Sequence, residues 1–158
     1  MRKDIHVSFL TEVKMVNKDT IRLLRECDSG VKMGIQSIND CMPHVTNQRL
    51  KGSMLICKDE HKRMKREIQG MLDRYHDEGK NPNPIITGMS KMKTGMRLMM
   101  SDTDRTVAGL MTDGCNMGIK SLSGYLNKFK AADEESKDIA KRLIATEEQL
   151  AKDVRGFL

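Results

Sequence analysis

Four residues of this chain are candidate ligands of a single transition-metal site: Cys27, Cys57, His61 and Glu147. Thiolate, imidazole and carboxylate groups together suit a four-coordinate zinc site, and iron is the other metal that we consider. A second interpretation needs no metal, because a buried histidine that hydrogen-bonds a glutamate satisfies both groups. We favour this second interpretation and expect no cofactor. Both require a fold that brings the four residues together.

Helices are the elements that must position these residues. The chain has 14 Met, no Trp, two Tyr and three Phe, so aliphatic and thioether side chains must fill its interior. Apolar residues recur at helical spacing, and β-branched residues form no alternating run of strand length. The sequence therefore predicts an all-α fold.

Two long helices are predicted in the first half of the chain. The first runs from about residue 4 to Met42, where Pro43 stops it. Its core-facing line has a period of 3.5 residues and contains Phe9, Val13, Val16, Thr20, Leu23, Cys27, Gly30, Gly34, Ser37 and Cys41. Thr46 or Asn47 caps the second helix, which continues to about Asp77 and ends at Gly79. Its line contains Leu50, Met54, Cys57, His61, Met64, Ile68, Met71 and Tyr75.

A crossover of residues 79–101 leads to two further long helices. It begins with an extended, proline-containing segment and continues as a short helix. One face of this short helix carries Met89, Met92, Met96 and Met99, and its other side carries Lys91, Lys93 and Arg97. We expect the methionine face to pack against the bundle or against another subunit. The third long helix follows a cap at Ser101 or Asp102 and reaches about Lys130, and Asp133 caps the fourth. The core-facing line of the third contains Val107, Met111, Gly114, Gly118, Ser121 and Tyr125, and that of the fourth contains Ala140, Leu143, Glu147, Leu150, Val154 and Phe157.

A nine-residue phrase occurs twice, at residues 30–38 and again 84 residues later at 114–122, with five identities. The repeat predicts a duplicated helical hairpin. We therefore expect one domain of residues 1–158, built from hairpins of about 4–78 and 102–157. Each copy places two glycines in a helix, where each costs about 1 kcal/mol relative to alanine. Either close approach of the first and third helices or a ligand in the vacated volume would compensate for this cost.

The chain resembles the ferritin-like superfamily of four-helix bundles. The specific part of the resemblance lies in residues 100–122 and 145–158, which are similar to small uncharacterised bacterial ferritin-like proteins. The resemblance implies a four-helix bundle with one long crossover. It does not imply oxidase activity, because such oxidases carry Glu-x-x-His motifs. In this chain the position three residues after Glu60 is Arg63, and the position three residues after Glu147 is Leu150.

This arrangement makes the four candidate ligands meet near the middle of the bundle. In an antiparallel hairpin that turns near residue 44, Cys27 lies beside His61, and Cys57 lies one turn away. Glu147 falls at the same height if the third helix begins beside the first turn. The meeting therefore depends on two inferred turns.

The formal charge of +6 is concentrated in the first two thirds of the chain, most densely at residues 58–66. These residues form a solvated basic helix face or an anion site, and a nucleic-acid partner is not expected. Four scattered cysteines and no long apolar stretch predict a cytoplasmic protein with reduced thiols and no membrane span.

No catalytic motif is present, so we expect a non-catalytic bundle that acts through self-association, as a dimer, or through an unidentified protein partner. The alternative is a metal-binding or metal-dependent redox protein that uses Cys27, Cys57, His61 and Glu147.

Overall fold

The structure, a computed structural model, describes residues 2–101 and 103–158, with side chains from residue 7 onwards apart from residues 86, 89 and 90. Over these residues the chain is helical and contains no strand. The helices are α1 (Arg2–Cys41), α2 (Gln48–Asp73), α3 (Pro84–Met100), α4 (Asp104–Lys128) and α5 (Glu134–Val154). The all-α prediction is therefore confirmed for the described residues.

Side-chain caps fix where the helices begin. The Asn47 side chain accepts hydrogen bonds from the first amides of α2, and Asp133 does the same for α5, as the sequence predicts. The cap of α4 is Thr103, and Ser101 instead ends α3. Asp102, the other predicted cap, lies outside the described residues.

The second helix ends earlier than predicted, at Asp73 instead of about Asp77. The chain turns at His76, which has a φ of 54°, and both carboxylate oxygens of Asp77 accept hydrogen bonds from the Arg25 guanidinium of α1. This contact with α1 fixes the turn and stops α2 there.

Four helices pack side by side, and α3 lies outside them. α1 packs against α2 and α4, and α5 packs against the same two helices. The pairs Glu67–Arg142 and Arg74–Glu135 show that α2 and α5 run antiparallel. Asp104, at the start of α4, accepts hydrogen bonds from the Thr46 amide and hydroxyl in the α1–α2 connection. The crossover thus travels from the far end of α2 back to the end at which α2 begins.

The core consists of two apolar clusters, one in each half of the bundle. The first cluster contains Leu23, Leu24, Cys27, Val31, Met64, Ile68, Met71, Leu72, Leu122, Phe129, Ala132, Ile139, Ala140 and Leu143. The second contains Ile38, Cys41, Leu50, Met54, Cys57, Leu98, Val107, Ala108, Leu110, Met111, Cys115, Leu150 and Val154. All four packed helices contribute to both clusters, so the clusters lie one above the other along the bundle.

The first part of α1 extends beyond the bundle. The side chains of Asp19 and Thr20 lie beside the connection between α4 and α5. They accept hydrogen bonds from the backbone amides of Ala131 and Asp133, respectively. Among the described residues, no other helix continues past this point beside α1. Phe9 and Val13, which we predicted to face the core, are therefore 60% and 41% exposed, so the prediction was wrong for this segment.

The core-facing line of α4 follows the prediction at Val107, Met111 and Gly118 and differs from it at two positions. Gly114 and Ser121 are exposed, whereas the residues that follow them, Cys115 and Leu122, are buried. The corresponding residues of α1, Val31 and Ile38, are also buried. Both copies of the repeated phrase therefore turn the same positions inward, and the prediction was wrong by one residue at two positions of each copy.

The short helix α3 turns its apolar side away from the bundle. Its one buried side chain among those described is Leu98, and Thr87 and Thr94 line an open cleft of about 510 Å³ between α3 and α1. Its outer apolar face consists of Ile85, Met92, Met96, Met99 and Met100, all exposed, while the Met89 side chain lies outside the described residues. Of the two contacts that we expected for the methionine face, packing against the bundle is therefore wrong. In the described part of the chain, no helix has the length and apolar character needed to span a membrane.

Candidate functional site

Each of the four packed helices contributes one residue to a layer that separates the two apolar clusters. His61 of α2 lies between Cys57 of one cluster and Met64 of the other. Its partners in the layer are Gly34 of α1, Gly118 of α4 and Glu147 of α5. The layer is a polar centre between the two apolar clusters.

His61 and Glu147 hold each other across the bundle. The His61 Nε2 atom lies 2.9 Å from the Glu147 Oε1 atom, and the two side chains are 1% and 13% exposed. The other ring nitrogen, Nδ1, lies 2.9 Å from the Cys57 backbone oxygen and 3.5 Å from the Cys57 Sγ atom. Both nitrogens of the buried ring therefore have partners.

The hydrogen bonds determine where the protons lie. A carbonyl oxygen can only accept, so the Nδ1 atom of His61 must carry a proton that it donates to Cys57. One further proton lies between the His61 Nε2 atom and the Glu147 carboxylate. The pair has no net charge whether this proton is bound to the ring or to the acid. The free-energy cost of burying the pair is therefore lower than that of burying a single charge.

Electrostatics favour the charged ring. Burial alone would lower the pKa of His61, but hydrogen bonds to Cys57 and Glu147, and the charges of these groups, raise that pKa to about 10. His61 is therefore an imidazolium paired with the Glu147 carboxylate at neutral pH.

The two glycines of the layer make room for this pair. A Cβ atom at Gly34 would lie 2.7 Å from the His61 Nε2 atom, and one at Gly118 would lie 3.4 Å from the Glu147 Cδ atom. The vacated volume at these positions is thus occupied by side chains of the neighbouring helices. Close backbone approach of the first and third helices, which we expected at the glycines, does not explain them, and Gly30 and Gly114 have nothing within 4 Å of such an atom.

Three of the four predicted ligands meet, and the fourth does not join them. Cys57, His61 and Glu147 form a connected set. Cys27 packs in the first apolar cluster, where burial raises the pKa of its thiol to about 12. Cys115 of α4 instead lies close enough to Glu147 to be affected by it, because burial and then the charge of Glu147 raise the pKa of its thiol. The sequence contained a signal for Cys115, since a residue three positions before Gly118 shares its helix face.

The connected set does not have the arrangement of a metal site. Within residues 2–101 and 103–158, no group of three or more His, Cys, Asp or Glu side chains is placed to hold a metal ion. Both ring nitrogens of His61 face protein acceptors, so a metal would have to displace Glu147 or the Cys57 carbonyl. Burial, followed by the effect of Glu147, raises the pKa of Cys115 and keeps it a thiol.

The geometry indicates a structural role for the layer. The pair is enclosed, and its thiol neighbours Cys57 and Cys115 are buried. A hydrogen-bonded polar pair in an apolar core forms only when the helices stand in one register, because any slip leaves both groups without partners. We infer that the layer fixes α2 against α5 and aligns the two halves of the bundle.

Stability should depend on pH through His61. Its folded pKa of about 10 lies above the unfolded value of 6.5, so its contribution is complete below pH 6.5 and is lost as the pH rises toward 10. Urea unfolding between about pH 6.5 and 8.5 should show a falling free energy of unfolding. Buried thiols add to the loss at higher pH. Burial raises the pKa of Cys41 to about 11, so the unfolded chain loses this proton at a lower pH than the folded protein does.

The matched control for this measurement is the double variant His61→Met and Glu147→Met, which should show a much smaller decline in that pH range, because only the buried thiols then contribute to it. A parent protein whose stability stays constant from pH 6.5 to 8.5 would contradict the assignment of a charged His61.

Comparison with known proteins identifies no relative. Family models, curated proteins and solved structures all gave no match to this chain.

Proposed function

We propose that this chain is a non-catalytic cytoplasmic helical bundle that acts through self-association or through binding a protein partner, with α3 as its contact surface. The observation that carries the proposal is the orientation of α3. Its apolar side faces solvent, and threonines face the bundle. A helix that served only to connect α2 with α4 would gain stability by the opposite orientation.

Exposed apolar side chains recur along α3. Met92, Met96 and Met99 are 67%, 59% and 90% exposed, and Ile85 and Met100 extend the same face. Contiguous apolar patches of a few hundred Å² on a protein surface mark interaction sites, and unbranched methionine adapts to different partner shapes. Covering such a face gains roughly 25 cal/mol per Å².

The projecting part of α1 supports association as well. Phe9, Leu10 and Val13 are exposed on the segment that no other helix covers. A helical segment of this length is only marginally stable in water without tertiary contacts. A second copy of the chain packed beside it would give the dimer that the sequence predicts.

Methionine oxidation tests whether α3 is covered. We expect Met92, Met96 and Met99 to react with hydrogen peroxide much more slowly in intact cells than in the dilute purified protein, because a partner shields them. Mass spectrometry of tryptic peptides gives both rates. The chain supplies its own controls: Met117 of α4 is exposed and should stay reactive, and Met54 is buried and should stay protected.

A comparison at high protein concentration separates the two forms of association. Slow oxidation of the α3 methionines in the concentrated purified protein indicates self-association. Slow oxidation of these methionines only in cells indicates a protein partner. Equal reactivity of α3 and Met117 under all three conditions would refute the proposal.

The same proposal includes a ferritin-like fold made of two duplicated hairpins. Residues 31, 34 and 38 and their counterparts 115, 118 and 122, each 84 positions later, turn toward the core. Gly34 faces His61 in its own hairpin, as Gly118 faces Glu147 in the other. The long crossover and the antiparallel neighbours support this interpretation.

The alternative function is that of a metal-binding or metal-dependent redox protein, with zinc or iron as metal. The meeting of Cys57, His61 and Glu147 favours it, with Cys115 in place of Cys27. Elemental analysis of untagged protein decides between the two: stoichiometric metal that is lost in the variants His61→Ala and Glu147→Gln would support the alternative.

A further inference from the structure

We infer that the occupant of the outer apolar face of α3 is an amphipathic helix of another protein, with acidic residues beside its apolar line. This inference rests on the proposed function and adds the chemical class of the partner. Three features of α3 carry it: the spacing of the residues in the apolar face, the residues on its two edges and the charge of the helix.

The outer apolar face contains a coiled-coil line. Ile85, Met92, Met96 and Met99 follow one another at steps of seven, four and three residues. At about 100° per residue, these four side chains fall within an arc of about 60°, and Met100 widens the face to about 100°. The line of four has the 3.5-residue period of a coiled-coil contact. The face therefore suits contact with another helix.

One edge of the face permits close approach. Gly88 and Gly95 lie seven residues apart on this edge, and no atom lies within 4 Å of a Cβ placed on either. Small residues at such positions let a second helix come near the backbone. Both glycines also lower the helix propensity of α3 relative to alanine, and a close helix contact would offset this loss.

The charge of α3 selects an acidic partner. The helix contains Lys91, Lys93 and Arg97 and no acidic residue. Arg97 is paired with Asp113 of α4, and Lys91 lines the cleft between α3 and α1. Lys93 forms no ion pair with any described residue. Lys93 lies next to Met92 on the edge opposite the glycines, where coiled coils place the charges that select their partners.

A second copy of α3 fits this surface poorly. Two α3 helices packed antiparallel about Met92 bring their Lys93 side chains close to each other, and the repulsion opposes the contact. A helix that carries Glu at the flanking positions converts the same contact into an attraction.

Two designed peptides test the inference on the full-length protein. Both have three heptads with leucine in the apolar line, and the flanking positions carry Glu in one peptide and Lys in the other. Fluorescence anisotropy should show binding of the Glu peptide at least tenfold tighter than that of the Lys peptide, with the difference shrinking at high salt.

Variants connect the binding to α3. Met96→Glu should weaken binding of the Glu peptide at least tenfold. The matched control, Met117→Glu, changes an equally exposed methionine of α4 and should leave binding unchanged, since both side chains are 59% exposed. Lys93→Glu should reverse the preference between the peptides. Circular dichroism checks that each variant keeps its helicity.

Other results would overturn the inference. Equal binding of both peptides, or of neither, excludes an acidic helix as the occupant. A dimer in light scattering that Met96→Glu dissociates identifies a second copy instead, and binding to phosphatidylserine vesicles that Met96→Glu abolishes identifies a lipid surface. The dimer result refutes this inference but leaves association through α3 intact. If the α3 methionines are oxidised in cells as fast as in the dilute purified protein, both this inference and association through α3 are refuted.

Discussion

Replacing Glu147 with methionine is expected to lower the free energy of unfolding by about 3 kcal/mol at pH 7. The substitution keeps the length of the side chain but removes the acceptor 2.9 Å from the His61 Nε2 atom. The buried ring must then either keep an unpaired charge or lose its proton and its hydrogen bond. Urea unfolding followed by circular dichroism measures the loss.

The double variant makes this prediction specific to the pair. His61→Met alone should also destabilise, because it leaves the Glu147 carboxylate without its imidazolium. The double variant His61→Met and Glu147→Met should be more stable than either single variant, since two apolar side chains replace a buried polar pair without leaving an unpaired group. Additive losses would mean that the two residues do not act as a pair.

A methyl group at Gly34 is expected to destabilise the protein by about 1–3 kcal/mol. The new Cβ atom would lie 2.7 Å from the His61 Nε2 atom and 2.8 Å from its Cδ2 atom. The ring cannot move aside easily, because hydrogen bonds hold both of its nitrogens. The strain therefore exceeds the helix propensity that alanine gains over glycine. Thermal and urea unfolding of Gly34→Ala measure the result.

The other glycines of the repeat are matched controls with the opposite expected sign. A Cβ atom at Gly114 or Gly30 would have no atom within 4 Å. Gly114→Ala and Gly30→Ala should therefore each raise the free energy of unfolding by up to about 1 kcal/mol, because alanine has the higher helix propensity. Gly118→Ala makes an ordinary contact of 3.4 Å with Glu147 and should change stability little. If Gly34→Ala behaves like Gly114→Ala, His61 is not held as the structure shows.

The central layer and the outer face of α3 are connected through the arrangement of the helices. The His61–Glu147 pair sets the register between α2 and α5, and the crossover that contains α3 joins the end of α2 to the start of α4. A slip of α2 against α5 would move the end of α2, which is one of the two attachment points of α3. Stability variants in the layer should therefore be checked for binding as well as for unfolding.

Local sequence signals determined the helices of this protein. Pro43 with the caps Asn47 and Asp133 fixed where helices end and begin, and the helix predicted for about residues 4–42 is found at Arg2–Cys41. The two inferred turns also predicted that His61 would meet Glu147 near Cys57, although these residues lie in different hairpins and the meeting requires the crossover to return along the bundle. The register predicted within the first hairpin was wrong, because Gly34 and not Cys27 lies beside His61.

The tertiary structure alone decided how each helix is rotated about its axis. A rotation of about 100° separates consecutive residues, so the sequence pattern cannot distinguish Gly114 from Cys115 as the core-facing position of α4. Cys115 therefore replaced Cys27 beside Glu147. The sequence likewise could not show that the apolar face of α3 points away from the bundle. An apolar face indicates that a helix needs a partner, but it does not indicate where that partner lies. Rotation and partner depend on packing between helices far apart in the sequence, and only the folded chain brings those helices together.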